Sequence, residues 1–286
     1  MTPASPLHII DILIAERAPK LAASSLFPIV RFGLNILLNY KRAVAMADKI
    51  APMEGVAAME EVSAMLQVRT QTQGFEHIPR TGRCIIIANH PTGIADGIAA
   101  WDAIKAIRPD LMFYANADAH RVCRHFGDVL IPVEWELHKR TREKTRQTLQ
   151  LTSLAFEQER ALFIFPAGKL ARRKQGILTE PAWMTSAVAL ARKNNAPIVP
   201  IYMTGPDSFW FHFFDAFSGE LRDITLFKEL LNKNNQLFTF KVGPAIAPED
   251  LAGEAEIVTD RLKRLVTVEM AGEMAGEHDA LAKPLL

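Results

Sequence analysis

The chain has 286 residues, 49% of them hydrophobic, and a formal net charge of +1. That length and apolar content suffice for one large α/β domain or a domain with an appendage. The near-neutral charge gives no bulk electrostatic support for a nucleic-acid partner, and two cysteines, Cys84 and Cys123, make no disulfide framework and fit a reducing compartment.

Residues 7 to about 67 read as helical. Leu7, Ile10, Ile14 and Ala18 recur at helical spacing until Ser24-Ser25 breaks the pattern. A second helix is expected over 27–48 and a third over Gly55 to Gln67. Asp11, Glu16, Arg17 and Lys20 interrupt the apolar residues, so no secretory signal is visible. The most membrane-like window, Leu21 to Asn39, is nearly long enough to span but contains Pro28 and Arg31. It either lies on a membrane surface or packs on the domain core.

From Val68 the texture changes to short β-branched or aromatic runs alternating with helical stretches. Strands are expected at Val68 to Gln71, Cys84 to Ala88, Leu111 to Ala115, Val129 to Val133, Leu162 to Phe165, Ile198 to Met203 and Phe238 to Val242. Helices are expected at Gly97 to Ile107, Arg142 to Gln158, Ala182 to Lys193 and Glu249 to Met270. This alternation predicts an α/β fold: a mixed, largely parallel central sheet flanked by helices, preceded by a helical N-terminal region. The expected divisions are 1–67 helical and possibly membrane-associating, 68–271 the α/β domain, and 272–286 a frayed tail.

The chain carries no G-x-G-x-x-G, P-loop, G-x-S-x-G or H-E-x-x-H. His120, Cys123 and His125 have a metal-like look, but Arg121 and Arg124 add positive charge and no fourth ligand is evident, so no metal is expected. The informative stretch is Ala88-Asn89-His90-Pro91-Thr92-Gly93-Ile94-Ala95-Asp96-Gly97, which directly follows an apolar strand. In α/β sheets, ligands bind beyond the carboxyl ends of strands, where His90 is placed. A neutral imidazole can take a proton from an alcohol, and a carboxylate on its other nitrogen fixes the tautomer. Pro91 and Gly93 favour a turn that brings Asp96 back to His90; alternatively, Asp96 is the N-cap of the next helix.

A second strand runs Phe163-Ile164-Phe165-Pro166-Ala167-Gly168 and opens into Lys169, Arg172, Arg173 and Lys174. These cations are either a solvated loop or an anion site. A third stretch, Ile198-Val199-Pro200-Ile201-Tyr202-Met203-Thr204-Gly205, is another strand running into a glycine turn.

The three stretches, in this order and spacing, resemble the lysophospholipid/glycerolipid acyltransferase superfamily, in particular its 1-acylglycerol-3-phosphate acyltransferase-like bacterial members. The resemblance covers roughly residues 68–245, including the lead-in Gly74 to Gly82. It implies acyl transfer from acyl-CoA or acyl-carrier protein, with no other cofactor, to the hydroxyl of a lysolipid. His90 would be the general base and Asp96 its orienting partner. Asn89, Gly93, Phe165, Pro166, Gly168, Lys169, Arg172, Arg173, Val199 and Pro200 would line the substrates. The oxyanion would be met by backbone amides near Gly93 or Gly168.

Two departures bear on the substrate. Five residues rather than the usual four separate His90 from Asp96, and Ala167, Lys169 and Leu170 stand where the family has Glu, Thr and Arg. The acceptor is accordingly 1-acylglycerol-3-phosphate or a lyso-aminolipid such as a lyso-ornithine lipid. The alternatives are a non-catalytic lipid- or carrier-binding protein on the same scaffold, or a thioester hydrolase. The expected location is cytoplasmic, peripheral to the inner membrane. Two further stretches stay open. Lys139 to Arg146 is a solvated helix start or a contact for anionic headgroups or an acidic carrier protein. Phe209 to Phe214 is core or, if exposed, a membrane contact or acyl-chain tunnel.

Overall fold

The computed structural model describes residues 7–24, 33, 39–134, 139–174, 177–206 and 208–274. Most of the membrane-like window and most of the expected tail lie outside the described residues. No helix among the described residues is long and apolar enough to cross a membrane.

Among the described residues nine strands form: β1 Arg69–Gln73, β2 Cys84–Ala88, β3 Met112–Asn116, β4 Leu130–Val133, β5 Ala161–Ile164, β6 Arg172–Lys174, β7 Ile177–Thr179, β8 Ile198–Thr204 and β9 Leu237–Val242. Seven make one sheet in the order β1-β9-β8-β2-β5-β3-β4, and β6 and β7 pair as a separate antiparallel hairpin. All sheet contacts are parallel except β8 with β9, so the sheet is mixed and largely parallel. Its centre is β2, Cys-Ile-Ile-Ile-Ala, buried at every residue as a parallel strand covered on both faces must be. Its polar edge strand β1, Arg-Thr-Gln-Thr-Gln, is exposed throughout.

The two-residue period of β2 divides the core. Cys84, Ile86 and Ala88 face one layer, together with Phe163, Val199 and Ile201. Ile85 and Ile87 face the other, with Leu162, Ile164 and Ile198. The first layer is closed by α1 Ile9–Arg17, α2 Tyr40–Ile50, α3 Gly55–Leu66 and α4 Ile94–Ile104. The N-terminal helices therefore share one core with the sheet: Ile10, Leu13, Met46, Ala58 and Leu66 join the same cluster as Ile86. The second layer is closed by α5 Arg142–Glu157, α6 Ser186–Asn194 and, further along, α9 Ala255–Arg264.

Between β8 and β9 run two helices that the sequence reading left unassigned, α7 Phe209–Asp215 and α8 Gly219–Leu231. The single helix expected over Glu249 to Met270 is broken: a short 3-10 turn, Pro248–Leu251, precedes α9, and the last turns, Leu265–Met270, widen to a π-helix. Gly253, at φ 110°, adopts a backbone conformation that no helix continues through.

Candidate active site

β8, β2 and β5 are neighbours and parallel, so their carboxyl ends reach one edge of the sheet together. The three informative stretches leave the sheet there. His90 follows β2, Phe165 follows β5 and Gly205 follows β8. Residues more than a hundred positions apart in sequence thus meet because each follows one of three adjacent strands.

The His90 turn is held tightly. Asn89 spends both ends of its side-chain amide on β8: Nδ2 donates to the Met203 carbonyl at 2.9 Å, and Oδ1 accepts the Met203 N–H at 2.8 Å. It clamps the turn to the sheet rather than facing a substrate, which corrects its expected role. The Ala171 N–H donates to the His90 carbonyl at 3.0 Å, and Ser208 Oγ donates to the Thr92 carbonyl at 2.6 Å. The turn is therefore tied to both the basic hairpin and the start of α7.

Asp96 is fully buried, and four donors converge on it. His90 Nδ1 lies 2.8 Å from Oδ2, which also accepts the Thr92 N–H at 2.9 Å and the Gly93 N–H at 3.2 Å. Thr92 Oγ1 donates to Oδ1. The helix begins at Ile94, so Asp96 sits in its first turn and is not the N-cap. Its carboxylate both caps the helix start and orients the imidazole, two roles that sequence reading set against each other. Gly93 makes this possible. At φ 122°, ψ −151° it holds a conformation essentially reserved for glycine, and an added Cβ would stand 3.4 Å from Leu170 Cδ2. That turn accommodates the fifth residue between His90 and Asp96.

With Nδ1 on Asp96, Nε2 is the ring nitrogen left for a substrate. The imidazole side chain is 18% exposed, and one face stacks on Phe165 with ring centroids 4.0 Å apart and 14° between planes. The structure thus brings Phe165 directly against the imidazole. Pro166 and Gly168 shape the turn beneath it: the Gly168 N–H donates to the Phe165 carbonyl at 2.9 Å, with Gly168 at φ 60°. The amides of Gly93 and Gly168 are thus both engaged, and neither is free to meet an oxyanion. Val199 and Pro200 are buried inside β8, in register with Ile86 and Ile87. Their side chains pack within the strand layer of the sheet.

Lys169 and Arg173 are exposed, and Arg172 is partly so, with one guanidinium nitrogen 3.9 Å from Asp215 Oδ1. The cation-rich stretch is therefore the β6–β7 hairpin, not a loose loop. Arg140, Arg142 and Arg146 instead line a shallow groove of about 780 Å³ with Leu149, Leu154 and Glu157, which includes none of the residues around His90. Among the described residues no cluster of His, Cys, Asp or Glu is placed to hold a metal.

Sequence reasoning missed Glu180. It follows β7, ninety positions after His90, and its carboxylate accepts the His90 backbone N–H at 3.1 Å. No spacing announces it; the only hint was the carboxylate missing at Ala167. Burial pushes the Glu180 carboxyl up from its ordinary 4.5 to about 7, with nearby Asp96 adding to the rise and His90 opposing it. In the folded protein the ionised form is the costly one. The stability this group contributes is whole below about pH 4.5 and is lost as pH rises through about 7. Glu180→Gln keeps a carbonyl acceptor for His90 and removes the titration. It is expected to match the wild type near pH 5 and to exceed it near pH 8.5 by up to ~3 kcal/mol. Thermal unfolding at the two pH values checks this; a stability gap that does not widen with pH contradicts a buried, proton-poised Glu180.

Comparison with known proteins finds similarity over the same part of the chain. Residues 69–204, from β1 through β8, match the family model described as Acyltransferase. The chain thus contains an acyltransferase-family segment, similar to that of the lysophospholipid acyltransferases. The family segment contains the Asp96 turn, Phe165, the basic hairpin and Glu180, while Ser208, which bonds the Thr92 carbonyl, lies just beyond it. Among curated relatives, "Lyso-glycine lipid O-acyltransferase" from Bacteroides thetaiotaomicron is 23% identical over 68% of this chain and 66% of its own. The protein of the same name from Phocaeicola vulgatus is 23% identical over 67% of this chain and 69% of its own. The matches thus span about two thirds of these relatives' length. The crystal structure of the 1-acyl-sn-glycerophosphate (LPA) acyltransferase PlsC from Thermotoga maritima aligns over 93% of this chain and 97% of its own, with 13% identity and a TM-score of 0.48.

Proposed function

We propose that the chain transfers a fatty acyl group from acyl-CoA or acyl-carrier protein to the hydroxyl of a lyso-aminolipid. The observation that carries this reading is the His90–Asp96 pair, with Nδ1 committed and Nε2 open at the carboxyl edge of the sheet. His90 Nε2 takes the proton of the acceptor hydroxyl as its oxygen attacks the thioester carbonyl. The tetrahedral intermediate collapses, the C–S bond breaks, and the departing sulfur takes that proton from His90. No acyl-enzyme forms, and the products are the diacylated lipid and the free thiol.

The acceptor class follows from the second block. Ala167 and Leu170 leave no Glu and no Arg where a phosphate-bearing acceptor is held in the family, and Leu170 packs against Gly93 instead. The names of the two curated relatives point to an amino-acid lipid as well. Lys169, Arg172 and Arg173 on the hairpin supply positive charge for the anionic end of such a headgroup. The reading includes a peripheral position at the cytoplasmic face of the inner membrane, where an acyl-CoA or acyl-carrier-protein donor and a lipid acceptor would meet.

Purified protein incubated with labelled acyl-CoA or acyl-carrier protein and a panel of lysolipids tests this. The expected result is labelled product with lyso-glycine or lyso-ornithine lipid, at least ~10-fold faster than with 1-acylglycerol-3-phosphate, the order of discrimination a mismatched polar site supplies. A preference for the phosphate acceptor overturns the lyso-aminolipid assignment. Release of free fatty acid alone indicates a hydrolase, and no reaction with any acceptor indicates a binding protein.

A further inference from the structure

α7 carries an unusual load of aromatic side chains, Phe-Trp-Phe-His-Phe-Phe-Asp, and its outer face is not buried. Phe209, Phe213 and Phe217 recur every fourth residue and are 59%, 45% and 74% exposed. Their rings are in sequence contact, with centroids 5.9 Å apart for the first pair and 5.3 Å for the second. Three large apolar side chains so exposed on one face are costly in water unless something covers them.

The stripe is held in place. Phe211, on the inner face of α7, is 4% exposed. The buried Glu229 carboxylate accepts the Trp210 N–H at 3.0 Å and the Phe211 N–H at 3.3 Å, and it pairs with buried Lys233 at 2.9 Å. Lys228 Nζ lies 4.4 Å over the Trp210 ring. The outward aromatic face is thus fixed by ties on its inner side.

Its neighbours say what covers it. Ser208, just before α7, bonds the Thr92 carbonyl of the His90 turn, and Asp215, its last residue, faces Arg172 of the basic hairpin. The helix that carries the stripe is therefore linked to the His90 turn at its start and to Arg172 of the basic hairpin at its end. Aromatic rings beside a cationic rim match a bilayer interface, where rings enter the headgroup boundary and cations meet anionic lipids. Given an acceptor that is a lysolipid, as proposed above, we infer that Phe209, Phe213 and Phe217 dock the protein on an anionic bilayer surface, bringing the His90 turn close to the lipid.

Co-flotation of the full chain with vesicles of phosphatidylethanolamine and phosphatidylglycerol tests the inference, with phosphatidylcholine vesicles as the uncharged comparison. The wild type is expected to float with the anionic vesicles, and the triple variant F209S/F213S/F217S to lose more than ~10-fold in vesicle affinity while keeping its thermal transition. Transfer to a short-chain, water-soluble lysolipid stays within about twofold of wild type in that variant, because the stripe does not touch the reacting atoms. A polarity-sensitive dye attached through Phe217→Cys, the native Cys84 and Cys123 being buried, shifts to the blue when anionic vesicles are added.

Several results overturn the inference. In one, the folded triple variant floats as well as the wild type. In another, the dye does not respond although the protein floats, as it would if residues 25–38 or another surface covered the stripe or made the contact. In a third, the wild type is a dimer that the triple variant splits, which makes a second copy the occupant. Loss of transfer to the short-chain acceptor in the folded variant makes the stripe part of the acceptor pocket. A wild type that floats through the stripe but acylates no lysolipid sinks the proposed reaction and leaves the docking surface standing.

Discussion

Replacing His90 by alanine is expected to lower kcat for acyl transfer by about 10²–10⁴-fold, the range that positioned general-base catalysis supplies. Binding of both substrates should change little, because the imidazole is small and its stacking partner Phe165 remains. Steady-state kinetics with the acceptor found active in the lysolipid panel read this directly. The fall belongs in kcat and in kcat/KM alike, the pattern of an interaction made only in the transition state. The protein should remain folded, since the His90 side chain makes one hydrogen bond and Asp96 retains three other donors. An alanine variant that turns over at the wild-type rate removes His90 from the mechanism.

Asp96→Asn separates charge from geometry in a way the structure makes specific. Oδ2 accepts from His90 Nδ1, Thr92 N–H and Gly93 N–H, while Oδ1 meets only the Thr92 hydroxyl. An asparagine that places its carbonyl at the Oδ2 position keeps all three acceptances. Its NH₂ then donates to the Thr92 hydroxyl, which reverses its role. The imidazole keeps its tautomer and loses only the negative charge that stabilises the imidazolium. The expected loss is ~10²-fold in kcat with little change in thermal stability, because charge-assisted bonds are roughly twice as strong as neutral ones and this one is buried.

Asp96→Ala is expected to behave differently. It strands the Thr92 and Gly93 amides and the Thr92 hydroxyl in a buried turn, at a cost of about 3–5 kcal/mol of stability besides the loss of rate. Parallel measurement of kcat and Tm on the two variants checks the contrast. Equal damage to stability from both would mean that Asp96 acts only as a helix cap. Full activity in Asp96→Asn would show that the charge does no chemistry.

Glu180 adds a second carboxylate to the same turn from the opposite direction. It grips the His90 backbone rather than the ring, so it is a positioning residue. Its raised carboxyl pKa, driven by burial, makes that local grip dependent on pH.

The seven main strands and the order of the site were legible in the sequence because they are local. A run such as Cys84 to Ala88 is apolar at every residue, and only a strand covered on both faces explains that over so short a length. The His90–Asp96 pairing was legible for the same reason: six residues containing Pro91 and Gly93 close on themselves. The β6–β7 hairpin was not legible, because two three-residue strands show no period and cations mask the pairing. α7 was not legible because its aromatic run is apolar almost all round, leaving little amphipathic contrast to read.

The sequence by itself determined the fold class and the pairing of His90 with Asp96, since the strand pattern and the turn are both local. Only the tertiary structure decided which polar groups are already spent. Asn89 belongs to Met203, the Gly93 amide to Asp96, the Gly168 amide to Phe165, and Val199 and Pro200 to the interior of β8. It also brought Glu180 across ninety residues to His90 and turned three phenylalanines outward beside the site. A buried group's partner is set by which strands lie side by side, and that order, β8-β2-β5, is a property of the assembled sheet and of no single stretch of chain.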